Sequence, residues 1–128
     1  MEYYMFVKVL TRINCFFYLL LDALLSLTSE VIITAFIKTA RLNMLYAYMV
    51  RRGDSKSGEI FLRLNNLRGQ SKIYSYRKAN IQNYWEVYGS DTWQEDSLIN
   101  DKIKKIISID SDIWILELED KKGRYPDF

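Results

Sequence analysis

The chain has no histidine and a single cysteine, Cys15, in 128 residues. Without histidine, Ser-His-Asp and Cys-His catalysis, an imidazole general base and His-ligated zinc are all excluded. A lone cysteine forbids an internal disulfide and any Cys/His metal cluster. It fits a reducing compartment, so the expectation is a cytoplasmic protein without a cofactor. A metal site would have to be built from carboxylates, which suit Mg, Mn or Ca. Glycine (five) and proline (one) are also scarce, which argues against disorder and against a loop-rich scaffold. The sequence contains no Gly-rich phosphate loop, nucleophile elbow or dinucleotide fingerprint.

What is present is apolar and aromatic. Hydrophobic residues make up 49% and aromatics 15%, enough side-chain volume for one core in a single domain. Ten tyrosines and three tryptophans suit half-exposed sheet surfaces and interfaces. The net charge of +2 hides a segregation. Residues 51–80 carry eight Lys/Arg against Asp54 and Glu59, whereas residues 81–128 carry eleven carboxylates against six cations. A basic middle followed by an acidic last third attracts partners that the net charge does not reveal.

Residues 1–27 read apart from the rest. Lys8 and Arg12 precede an apolar run from Ile13 to Leu27, the outline of a signal peptide or anchor. The run is short of the ~20 residues that span a bilayer. Asp22 inside it costs roughly 2.5–3.5 kcal/mol on the insertion scale. No small-x-small cleavage pattern follows. Membrane association through 1–27, a soluble helix packing on the domain and a non-native extension remain the three readings.

Further along, Thr28 or Ser29 is suited to capping a helix, with Glu30 in its first turn. Ile33, Phe36, Ile37, Ala40 and Met44 form one helical stripe, although β-branched Val31, Ile32 and Thr34 also suit a strand. Strands are expected at Tyr46–Arg52, Glu59–Asn65, Lys72–Arg77, Asn83–Tyr88 and Ile113–Glu119. Turns fall at 53–58 and 68–70. A helix over Glu95–Ser108 would bury Ile99, Ile103, Ile106 and Ile107, and Asp110-Ser111-Asp112 would end it. The order α-β-β-β-β-α-β predicts an α+β fold: a curved, mostly antiparallel sheet of about five strands with two flanking helices. The expected organisation is an apolar extension (1–27), one domain (28–124) and a short tail (125–128).

The segments Val50-Arg51-Arg52-Gly53-Asp54, Gly58–Asn65 and Asp112–Asp120, followed by Gly123-Arg124, carry a resemblance. In that order and spacing, residues 28–124 resemble an alphaproteobacterial family catalogued as domain of unknown function 1491. The resemblance implies a small bacterial cytoplasmic protein. That family has no assigned activity, so it brings no functional residues.

Three features stand out as candidate sites. Arg51-Arg52-Gly53-Asp54 holds an Arg-Gly-Asp tripeptide, which a hairpin turn explains: Gly permits positive φ and Asp accepts from backbone N–H groups. The basic, Tyr-bearing meander of Arg51, Arg52, Arg63, Lys72, Tyr74 and Tyr76 would, if these groups shared one face, offer stacking rings and phosphate contacts. Its partners would be a nucleic acid, an acidic protein surface, or the acidic third of a second copy in a homodimer. A solvated sheet face is the plainer account. Lastly, Glu117 and Glu119 lie two apart on a strand and are placed to hold Mg²⁺ together. With Lys121 they would make a nuclease-like phosphodiesterase. The same alternation is that of an ordinary half-exposed strand.

Overall fold

The computed structural model describes residues 28–128. The expectations for residues 1–27 lie outside the described residues. The elements run α1 (Ser29–Leu42), β1 (Tyr46–Arg51), β2 (Ile60–Asn65), β3 (Gln70–Arg77), β4 (Tyr84–Val87), β5 (Gln94–Glu95), α2 (Asp96–Ile109) and β6 (Trp114–Glu119). The expected α+β class is the one observed, with β5 as an added two-residue strand. The sheet order is β1-β6-β2-β3-β4, with β5 paired to the start of β3. β2, β3 and β4 form an antiparallel meander. The crossover through α2 then inserts β6 between β1 and β2, parallel to β2 and antiparallel to β1. β1 and β4 are therefore the two edges.

The two faces are set by strand parity. Ile60, Leu62 and Leu64 of β2, Trp114, Leu116 and Leu118 of β6, Tyr74 of β3 and Trp85 of β4 project one way, against Ile33, Phe36 and Ala40 of α1. Phe61, Ile73, Ile113 and Ile115 project the other way, against Ile99 and Ile106 of α2. Both faces of the central strands are covered, which is why β6 reads as a nearly continuous apolar run. Leu62, Leu64, Leu116 and Leu118 have no solvent exposure. Truncating any of them to Ala would cost on the order of 2–5 kcal/mol through lost burial and the cavity left behind.

Three local departures have physical reasons. Met44 was expected on the buried stripe of α1, but the helix stops at Leu42 and Met44 is 95% exposed. The chain turns there through a positive φ at Met44, and the Leu45 N–H bonds back to the Ala40 carbonyl. Phe61, on the face of β2 that carries Arg63, is not open to solvent, because α2 covers it. The residues read as a tail, 125–128, lie against the domain: the Tyr125 ring meets Tyr74 of β3 edge-on, and Phe128 stacks on Phe36 of α1 with ring centroids 5.2 Å apart. Asp120 makes this return possible. It is buried, and its Oδ2 accepts from the Arg124 backbone N–H (3.3 Å) and Nε (3.0 Å) while Oδ1 accepts from the Lys122 N–H (3.0 Å).

Candidate functional site: the open edge strand and its polar row

The meander residues do not share a face. The β2–β3 register pairs Arg63 with Ile73 and Leu62 with Tyr74. Cross-strand partners point the same way, so Arg63 faces α2 while Lys72, Tyr74 and Tyr76 face the α1 core. Tyr74 is buried there, at 4% exposure, and Tyr76 packs edge-on against Trp85. Burial raises the phenol pKa of both.

The cations are partnered as well. Arg63 Nη2 pairs with Asp96 at 3.0 Å, its Nη1 donates to Asn100 at 2.6 Å and its Nε to Ser71 Oγ at 3.1 Å. Lys72 lies over the Trp93 ring and 3.5 Å from Asp91. Arg77 pairs with Glu86 and Glu59, and Arg52 with Glu30. Arg52 also sits over the Trp114 ring. Arg51 Nη2 donates to the Ser111 carbonyl. Arg52, Arg63, Lys72 and Arg77 are thus met by carboxylates, and the expected co-facial basic surface is not formed. The Arg-Gly-Asp segment is not the expected hairpin turn, because β6 separates β1 from β2. Gly53 is required not for a positive φ but because its backbone lies against the Asp112 and Ile113 carbonyls. Asp54 leads into a turn at 55–57, where its Oδ2 accepts from the Ser57 N–H and hydroxyl, and its carbonyl accepts from Trp114 Nε1 at 2.7 Å.

Glu117 and Glu119 do share a face, the α2 side of β6. There the register places Tyr48 beside Glu117 and Tyr46 beside Glu119, with Arg63 and Asn65 on the other flank. Glu117 is 8% exposed; it accepts from Asn65 Nδ2 at 3.0 Å and hydrogen-bonds the Tyr48 hydroxyl. The Tyr48 phenol is pushed up to about 12, by burial first, then by the charge and hydrogen bond of Glu117 and the charge of Glu119, against a small opposing effect of Arg63. Asp96 at the far end of the row shows the opposite outcome. Burial pushes its carboxyl up, but hydrogen bonds from Ser71 and Arg63 and the Arg63 charge overcome it and hold the group below the usual range. Among the described residues, no group of three or more Asp, Glu or Cys is placed to hold a metal ion.

The row ends at β1, whose two sheet edges differ sharply in treatment. The β4 edge is closed by a side chain: the Tyr125 hydroxyl accepts from the Trp85 N–H at 2.9 Å and donates to the Trp85 carbonyl at 2.6 Å. Glu86 adds a charge to that edge. Along β1, by contrast, Tyr46-Ala47-Tyr48-Met49-Val50 carries no charge and no proline. Among the described residues, its outer backbone groups pair with nothing. Tyr46, Met49 and Val50 are exposed, as are Leu42 and Met44 at the adjoining corner. A bulge falls between Met49 and Arg51. Sequence reading missed this site because the position of a strand within its sheet is set by the crossover. The available signal was the uncharged run itself.

A groove of about 1010 Å³ lies between α1, the β3–β4 loop and the C-terminal residues, with Phe36, Tyr76, Asn83 and Trp85 among its lining. Phe128 of the same chain occupies one wall. Among the described residues, no helix is long and apolar enough to cross a membrane.

A family model described as protein of unknown function (DUF1491) matches residues 27–126. The crystal structure of a DUF1491 family protein from Caulobacter crescentus CB15 is similar at 24% identity, with a TM-score of 0.65, covering 78% of this chain and 91% of that one. An NMR structure of a DUF1491 family protein from the same organism matches at 22% identity and a TM-score of 0.63, over 78% and 91% of the two chains. The solution structure of protein Atu0922 from A. tumefaciens matches at 21% identity and a TM-score of 0.58, over 73% and 85%. These likenesses establish the fold. A search of the curated proteins finds no match.

Proposed function

Because this chain belongs to the DUF1491 family of proteins of unknown function, a name that prescribes no chemistry, we propose from its geometry that it is a binding and assembly module whose docking element is the open edge of β1. The observation that carries this reading is the contrast between the two edges. Tyr125 satisfies the outward N–H and carbonyl of Trp85 at β4. The uncharged stretch 46–50 leaves β1 ready to accept a further strand. Main-chain hydrogen bonds would supply affinity there. Tyr46 and Tyr48 on one face and Met49 on the other would supply side-chain contacts. This surface replaces the basic face expected of the meander, whose cations are spent on Asp96, Asp91, Glu86 and Glu30.

The test is site-specific photocrosslinking in cells, with the photoreactive residue at Met49 and, as the control, at Lys104 on the solvent side of α2. Adducts at Met49 and not at Lys104 are expected. Equal yields at both positions, or none at Met49, would remove the reading.

Phosphodiester cleavage by Glu117, Glu119 and Lys121 is the second reading, favoured by the shared face of the two carboxylates. Mg²⁺-dependent nicking of DNA that disappears in Glu119→Ala would establish it, and nicking unchanged by that substitution would end it. Glu117, already engaged by Asn65 and Tyr48, makes it the weaker of the two.

A further inference from the structure

We infer that the strand seated on β1 is β1 of a second copy of this chain, paired antiparallel about a two-fold axis at Tyr48. The inference rests on the reading of β1 as the docking element and names its occupant. A two-fold edge contact must be self-complementary, since each residue meets its mate or its mirror position. Residues 46–50 meet that demand because no like charges are brought face to face.

The bulge fixes the register. Tyr46 and Tyr48 pair with Glu119 and Glu117, and beyond the Met49–Val50 irregularity Arg51 pairs with Ile115. Glu119, Glu117 and Ile115 alternate onto one face of β6, so Tyr46, Tyr48 and Arg51 all point to the α2 side. With Tyr48 opposite Tyr48, the extra residue of the bulge is absorbed opposite Ala47. Tyr46 then stands opposite Arg51 of the second copy. Glu119 lies next to Tyr46 on the same face, partly exposed and with no ion pair among the described residues. Arg51 is partly exposed and carries a matching charge: its Nη2 donates to the Ser111 carbonyl, and its guanidinium makes no ion pair among the described residues. The two-fold therefore sets Arg51 of each copy across Tyr46 toward Glu119 of the other, twice per dimer. Pairing would also cover Met49 and Val50, which the single chain leaves 43% and 53% exposed.

Sedimentation velocity over a dilution series tests this with the full chain. The wild type should sediment as a dimer, and Met49→Lys/Val50→Lys as a monomer with an unchanged circular dichroism spectrum. Arg51→Glu should weaken the dimer roughly tenfold, equivalent to about 1.4 kcal/mol, and Arg51→Glu/Glu119→Lys should restore it. A wild-type monomer that still crosslinks through Met49 to a different protein overturns the second-copy inference and leaves the edge reading standing. A dimer indifferent to Met49→Lys/Val50→Lys overturns the second-copy inference, and if Met49 also gives no crosslink the edge reading falls with it. Failure of the charge exchange to restore pairing refutes the two-fold at Tyr48.

Discussion

Asp120→Asn isolates the contact that brings the C-terminal residues back onto the sheet. Asp120 is 4% exposed, and its carboxylate receives two backbone N–H groups and the Arg124 guanidinium. Hydrogen bonds to a charged group contribute roughly 1.5–3 kcal/mol each, less when several share one carboxylate. The substitution removes the charge and leaves a single acceptor oxygen, with an amide N–H₂ turned toward donors. A loss of about 2–3 kcal/mol at neutral pH follows. In a domain of this size that amounts to roughly 8–20 °C in Tm.

The pH dependence supplies the sign. Burial pushes the Asp120 carboxyl up, but the Arg124 hydrogen bond, the two backbone N–H groups and the Arg124 charge more than offset it, so the folded pKa lies below its usual value. A depressed folded pKa contributes stability that is present above the unfolded value near 3.9 and is lost as pH falls through the folded one. Urea denaturation of wild type and Asp120→Asn should therefore give midpoints that are far apart at pH 7 and converge in acid. A gap of the same size at pH 7 and in acid would refute the reasoning, as would no gap at neutral pH.

Other expectations follow from the same contacts. Gly58→Ala should destabilise by several kcal/mol in thermal unfolding, about as much as a severe core clash, because a Cβ would run into the Asp112 carbonyl and the Trp114 indole. A mild effect would mean that this loop yields freely. In an absorbance titration, one tyrosine, lost in Tyr48→Phe, should ionise only near pH 12. Its raised pKa makes a contribution that is whole below the ordinary value of about 10 and fades as pH climbs toward 12. Tyr125→Phe removes the hydroxyl that closes the β4 edge. It should cost roughly 1–3 kcal/mol for the Trp85 groups left unpaired and raise the tendency to aggregate, read by light scattering.

Much of the fold was legible because the local patterns agree with their surroundings. The alternation of Ile60, Leu62 and Leu64 and the Ile99–Ile106 stripe each specify an element without tertiary help. Strand parity was legible too, for Lys72 with Tyr74 and Tyr76 and for Phe61 with Arg63. What parity within one strand does not give is which face is covered. Tyr74 and Tyr76 look like an exposed aromatic row until the register aligns them with Leu62 and the α1 core. Nor does a charge count along the chain give charge in space. Asp96 and Asp91, counted with the acidic third, fold onto Arg63 and Lys72 and neutralise the two cations at the centre of the meander. The parallel insertion of β6 decided the rest, since it made β1 an edge and set Glu117 and Glu119 beside its tyrosines.

The most direct test is amide hydrogen exchange on the wild type and on Met49→Lys/Val50→Lys, each at high and low concentration. Outward-facing amides of Tyr46–Arg51 should gain protection in the concentrated wild type alone, while those of Tyr84–Val87 stay constant in every sample. If assembly leaves the β1 amides exchanging as fast as in dilute protein, that strand is not where this molecule meets another.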